Sequence, residues 1–172
     1  FIIIRFCYSK TSTKGRRMAT TYIKAPAGFP RRYIIISADE QGITELGFDD
    51  TAPAQTDSDN PHIRQCIHEL NEYFAGKRQD FSVKLNPHGT EFQTRVWAQL
   101  STIPFAITWS YKDLALKLGS ANYCRAVGMA NGRNPVCLII PCHRVIAHDG
   151  SMGGYSSGLD IKQWLLRHEG II

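Results

Sequence analysis

Five apolar residues, Val136 to Ile140, stand between Pro135 and Pro141, and Cys142-His143-Arg144 follows at once. Asn134-Pro135 breaks any helix that precedes the run. The run itself reads as buried, and Pro141 fixes the backbone just before Cys142, which helps to aim one side chain. Thiolate is the reactive form of cysteine, and nearby positive charge or hydrogen-bond donors raise its fraction. His143 and Arg144 stand where they could supply both. An inert packed cysteine is the commoner fate of a buried thiol, so this segment alone leaves both readings open.

The rest of the chain organises around two lobes. Tyr33–Ser37 (YIIIS) and Ile43–Phe48 (ITELGF) read as strands joined by a turn at Asp39-Glu40-Gln41-Gly42, which makes a hairpin. Asn60 caps a helix with Pro61 at its first position. Ile63, Ile67, Leu70, Tyr73 and Phe74 share one face of it, and Gly76 ends it. Val83 and Leu85 are candidates for a third strand. Asn86-Pro87-His88-Gly89 marks a boundary, so residues 18–86 are expected to form a small N-terminal α/β domain.

Residues 87–172 read as mainly helical. Thr90 caps a helix with Gln93 as capping-box partner, and Phe92, Val96, Trp97, Leu100 and Ile103 form its apolar stripe. Two short helices follow, Ser110 to Leu118 and, from the cap Ser120, to about Asn131. Their Gly119-Ser120 turn suggests a helix-turn-helix, a weak signal alone. A loop with Gly150, Gly153, Gly154 and Gly158 leads to a last helix, Leu159 to Glu169, with Ile161, Trp164 and Leu165 inward.

Composition narrows the field. Hydrophobic residues make up 43% and charged residues 20% of 172, which suits a packed globular chain. No apolar run approaches the roughly 20 residues needed to cross a bilayer. The formal charge is +5, but residues 1–32 hold 8 basic and no acidic side chains, residues 33–84 hold 4 and 10, and residues 85–172 hold 8 and 5. Residues 1–17 are expected to be an upstream extension or a disordered basic arm. Five irregularly spaced cysteines argue against a disulfide framework and fit a reducing compartment. Neighbouring Cys142 and His143 lack the spacing of a zinc site, so neither metal nor cofactor is expected.

The wider strings carry a resemblance. PCHRV at 141–145, the Gly-Tyr-Ser loop at 154–156 and WLLRHEG at 164–170 stand in order after GTEFQTRVWAQLSTIP (89–104), SYKDLA (110–115) and RAVGMANGRNP (125–135). Together they strongly resemble the O6-alkylguanine-DNA alkyltransferases, also called methylated-DNA–protein-cysteine methyltransferases. The likeness is good over residues 89–171 and weaker through PAGFP, YIIIS and GITELGF.

The resemblance implies an α+β fold. A ribonuclease H-like N-terminal lobe of antiparallel strands plus helix would stand beside a helical, alkyl-accepting domain with a helix-turn-helix. It implies single-use repair of O6-alkylguanine, and of O4-alkylthymine, by a monomer on double-stranded DNA, in the cytoplasm of a prokaryote or the nucleus of a eukaryote. Chemistry at a stacked base requires extrusion, at a cost of a few kcal/mol.

By this match Cys142 accepts the alkyl group, His143 acts as base through a water, and Glu169 orients His143. Tyr111 rotates the target phosphodiester and serves the departing guanine. Asn134, Val145, Tyr155 and Ser156 line the pocket. Tyr111, Lys112, Ser120 and Arg125 meet DNA, with Arg125 filling the vacated stack and the second helix of the pair in the minor groove. Tyr123-Cys124 departs from the small residues usual before Arg125, Ala106-Ile107 from a glycine plus polar residue, and Ser157 from a frequent glycine. Three rivals remain: a non-catalytic lesion-binding protein, which Cys142 argues against; a helix-turn-helix regulator, which leaves PCHRV idle; and a cysteine hydrolase, which lacks an oxyanion-hole signature.

Overall fold

A computed structural model describes residues 18–55 and 59–172; the expectation for residues 1–17 falls outside them. Strands β1 (Ala19–Lys24), β2 (Tyr33–Ala38) and β3 (Ile43–Asp49) form an antiparallel sheet in the order β1-β2-β3. On the central strand Ile34, Ile36 and Ala38 are buried, as the period of two requires. The expected hairpin is present, and its turn is held by Asp39 Oδ1, which accepts from the amides of Gln41 (2.8 Å) and Gly42 (3.1 Å).

The third strand is β1 and not the segment around Val83. The amides of Ser82 and Val83 donate to the buried Glu69 carboxylate, at 2.9 and 3.1 Å, so they are unavailable to a ladder. Leu85 forms only an isolated bridge to Ile43. At this bridge the backbones close tightly: a Cβ on Gly42 would stand 2.5 Å from the Lys84 carbonyl oxygen. Gly42→Ala is therefore expected to cost about 1–3 kcal/mol as an overpacking change, read as a lower urea midpoint with an unchanged slope.

Helix α1 (Pro61–Phe74) covers the sheet and buries Ile63, Cys66, Leu70 and Tyr73; Asn60 Oδ1 caps it by accepting from the amides of His62 and Ile63. Helix α2 (Glu91–Leu100) opens with both halves of the Thr90–Gln93 capping box. The helix-turn-helix is α3 (Tyr111–Lys117) and α4 (Cys124–Gly132). Ser120 caps a single 3-10 turn, Ala121–Tyr123, and α4 begins only after it. Trp97 Nε1 ties α2 to α4 through a 2.9 Å bond to the Ala130 carbonyl.

Two-residue strands β4 (Trp109–Ser110) and β5 (Val145–Ile146) pair in parallel, and α5 (Leu159–His168) closes the fold. The run Val136–Ile140 is buried as expected, but as turns. It leans on the N-terminal sheet: Leu46 N donates to Pro135 O (2.9 Å) and Cys137 N to Leu46 O (3.0 Å). The lobes share one apolar core. Phe29 and Phe74 meet Trp164 of α5 edge-on, at ring-centroid distances of 5.0 and 5.9 Å.

Candidate active site

Cys142 opens a 3-10 turn, Cys142–Arg144, directly after Pro141, and the residue is 1% exposed. Asn134 organises the ground beneath it. Its Oδ1 accepts from Val136 N (3.0 Å), while its Nδ2 donates to Ile140 O (2.8 Å) and to Cys142 Sγ (3.1 Å). The Tyr155 hydroxyl stands 3.8 Å from the same sulfur. A hydrogen bond from Cys137 brings the Cys142 thiol down to about 7; burial opposes it, while Asn134, Tyr155 and the Lys162 charge assist. The side chains expected to favour the thiolate, His143 and Arg144, instead turn away to Glu169.

Glu169 caps α5 and gathers a buried network. His143 Nε2, Arg144 Nε and Arg144 Nη2 each lie 2.9 Å from its carboxylate, and the Tyr73 hydroxyl donates at 2.8 Å from α1. Arg144 Nη1 donates to Ile103 O at 2.7 Å. Burial works against the Glu169 charge, but hydrogen bonds from His143 and Arg144 outweigh it and hold the carboxyl well below its usual range. Burial lowers His143 despite the pull of Glu169, so the imidazole is neutral at neutral pH. An ionised carboxylate only accepts, so Nε2 carries the hydrogen and Nδ1 presents a lone pair. Nδ1 is buried with no hydrogen-bond partner among the described residues.

Tyr111 begins α3, half-buried, and its hydroxyl donates to Gly154 O at 3.4 Å. Burial, then the Cys142 charge, raises its phenol, which therefore stays protonated. Gly153 (φ +63°) backs this ring so closely that a Cβ would stand 3.1 Å from it. Val145 is buried, and its carbonyl accepts from Lys162 Nζ at 2.6 Å. Ser156 is exposed on the loop. The structure thus gathers Asn134, Tyr155 and Tyr111 near Cys142, with His143 and Glu169 in an adjoining buried layer.

Lys112 and Arg125 are exposed, while Ser120 is half-buried. The exposed face of α4 carries Arg125, Ala126 and Met129, and the helix holds no acidic residue. Of the two departures before Arg125, Cys124 turns inward, 3.9 Å from Tyr111 O, and Tyr123 rests edge-on against Phe92.

Four contributors escaped sequence reasoning: Cys137, Tyr73, the Arg144 clamp and Lys162. Lys162 left a signal, since it falls between apolar positions on the buried stripe of α5. It donates to Val145 O and Met152 O, and burial lowers its ammonium to about 8. Among the described residues no group of three or more His, Cys, Asp and Glu is placed to hold a metal ion, and no helix is long and apolar enough to cross a membrane.

Residues 18–87 match the family model described as 6-O-methylguanine DNA methyltransferase, ribonuclease-like domain. Residues 91–171 match the one described as its DNA binding domain. The methylated-DNA–protein-cysteine methyltransferase of Methanosarcina barkeri is 43% identical over 141 residues, which cover 79% of this chain and 89% of the relative. The crystal structure of Mycobacterium tuberculosis O6-methylguanine methyltransferase superposes with a TM-score of 0.77 at 34% identity, covering 89% of this chain and 93% of that one. Mycobacterium tuberculosis OGT, solved in complex with DNA, gives 0.73 at 36% identity, covering 87% and 91%. With both lobes matched and relatives aligned over most of their length, this chain belongs to the 6-O-methylguanine DNA methyltransferase family.

Proposed function

We propose that this protein repairs duplex DNA by moving the alkyl group of O6-alkylguanine, and of O4-alkylthymine, onto Cys142, once per molecule. The observation that carries this reading is a buried thiol near neutral pKa, with the Asn134 amide donating to its sulfur. A thiolate so placed is a soft, aimed nucleophile, which displacement at a saturated carbon needs.

The sulfur attacks the alkyl carbon, a C–S bond forms, and the C–O6 bond breaks with its electron pair left on the purine. The thiol proton passes through a water to His143 Nδ1, the lone pair that Glu169 leaves free by holding Nε2. Glu169 in this reading orients the base and balances the imidazolium, as the third member of a triad does. Tyr111, protonated until then, gives its proton to the departing purine, and the proton held on His143 balances the phenolate, so that one proton passes overall from thiol to guanine. Tyr155, Ser156 and the backbone at Val145 form the pocket for an extruded base, and Asn134 braces Cys142.

The partner is double-stranded DNA, met through the minor groove by α4, with the protein acting as a monomer. Residues 87–172 would bind DNA and accept the alkyl group, and residues 18–86 would support them. An exposed face with Arg125, small Ala126 and apolar Met129 suits a groove whose sequence code is degenerate. Arg125 fills the space the flipped base vacates, while Lys112 and Ser120 lie toward the phosphates. The test is incubation with duplex DNA bearing O6-methylguanine, followed by peptide mass spectrometry. One methyl on the Cys142 peptide is expected; binding without covalent gain would favour the lesion binder or the regulator.

A further inference from the structure

The buried Glu169 carboxylate takes one of its hydrogen bonds from the N-terminal lobe. Tyr73 stands in the last turn of α1, 1% exposed, and its hydroxyl donates to Glu169 Oε1 at 2.8 Å. The same oxygen accepts from His143 Nε2 and Arg144 Nη2, each at 2.9 Å. Oε2 accepts from Arg144 Nε at 2.9 Å and from the Ala106 amide at 3.3 Å. These donors crowd a group with about four lone-pair sites, so its angle is fixed. Tyr73 is held just as firmly. Its carbonyl accepts from Gly76 N and from His168 Nε2, each at 2.9 Å, and its ring meets His168 at 4.9 Å and Phe81 at 5.5 Å. The one tyrosine therefore grips both His168 and Glu169 at the end of α5. A phenylalanine would serve the packing, and Arg144 already meets the Glu169 charge. A hydroxyl in such a core costs free energy unless it is bonded, and this one is bonded to the oxygen that holds the His143 ring.

We propose that Tyr73 is a positioning residue for the proton relay: its hydroxyl, reaching across from the N-terminal lobe, fixes the angle of Glu169 and through it the His143 ring, so that Nδ1 stays turned to take the thiol proton. The assignment rests on reading Cys142 as the alkyl acceptor and His143 as its base. Tyr73 itself keeps its proton, because burial and then the Glu169 charge push its phenol up. Besides Glu169, the charges that act on His143 are Arg144 and Lys162. Those groups that act on Cys142 are Cys137, Tyr155 and Lys162, with Tyr111 facing it from α3. The N-terminal lobe is in this reading a working part of the site and not its support alone.

The test measures single-turnover methyl transfer against pH in the unmodified protein, in Tyr73→Phe and in Tyr73→Met, each also combined with His143→Gln. Loss of the hydroxyl is expected to slow transfer near neutrality about three- to tenfold, part of what a positioned general base supplies. By about pH 9, well past the Cys142 midpoint of about 7, the thiol is ionised without help, and the loss should shrink to about twofold or less. In the His143→Gln background the same change at Tyr73 should cost about twofold or less, since residues acting through one another do not add. An equal loss at every pH overturns the proposal, as does a full loss on top of His143→Gln, or no loss in whichever Tyr73 variant folds. The His143 ring nitrogens, followed by NMR at neutral pH, give a readout that needs no alkyl transfer. They are expected to shift in Tyr73→Phe, and unmoved signals overturn the proposal. Shifted ring signals in a protein that transfers no alkyl group would leave the Tyr73 hold on His143 standing and overturn the repair reading alone.

Discussion

Cys142→Ser is expected to lose alkyl transfer by a factor of about a thousand or more while its affinity for duplex DNA holds. A thiol near 7 is ionised in large part at neutral pH. A serine hydroxyl is not, and its oxygen is a harder, weaker nucleophile toward saturated carbon. The smaller side chain fits the same buried space, and Asn134 can still donate to it, so the fold is expected to survive. Single-turnover kinetics on O6-methylguanine duplex, with gel-shift binding as the control, would show the loss. Transfer at the original rate onto Cys137 or Cys124 in the variant would reassign the acceptor.

The second large effect is expected at Glu169. Glu169→Gln replaces a buried carboxylate by an amide and leaves Arg144 without its counter-charge. Removing one partner of a buried ion pair typically costs about 3–5 kcal/mol, here read as a lower urea midpoint. Acid should do part of the same work in the unmodified protein. Glu169 has a folded-state pKa below its unfolded value, so its contribution is complete above the ordinary carboxylate range and is lost as pH falls through and below that range. His143 is lowered too, so its loss begins earlier, as pH drops past the ordinary histidine value of 6.5. Stability should thus fall in two stages on acidification; Glu169→Gln should flatten the carboxylate stage and, by removing the charge that pulls His143 upward, deepen the histidine stage. A glutamine variant with the unmodified slope in the carboxylate stage would move the acid sensitivity elsewhere.

Local chemistry was the legible part of this fold. Asn60, Thr90 with Gln93, and Ser110 all act as the caps their side chains suggest, because a cap is decided within four residues. The Asp39–Gly42 turn is local in the same sense. What escaped was decided across the chain. The Val83 segment alternates like a strand, yet its amides were already taken by Glu69 on α1. Strand β1 carries the β-branched and aromatic Thr20-Thr21-Tyr22-Ile23, but only pairing with β2 makes it the third strand. Arg144 stands next to Cys142 in sequence and points to a residue 25 positions away. Tyr73 read as one more member of an apolar stripe, and its ring does pack in the core; only its hydroxyl reaches Glu169. Ordered motifs brought Cys142, Asn134 and Tyr155 together on paper. They gave no sign of Cys137, whose partners depend on a turn that no propensity favours.

The Tyr73–Glu169 bond joins residues 96 positions apart, and the Val136 bridge returns to Leu46. Closures of that span are entropically costly and are made late when a chain folds. Before they form, Asn134 and Cys137 have no fixed relation to Cys142, and its thiol has the ordinary value of 9.0. On the reading of Cys142 as the alkyl acceptor, its sulfur would gain the surroundings that favour the thiolate only as these long-range contacts close.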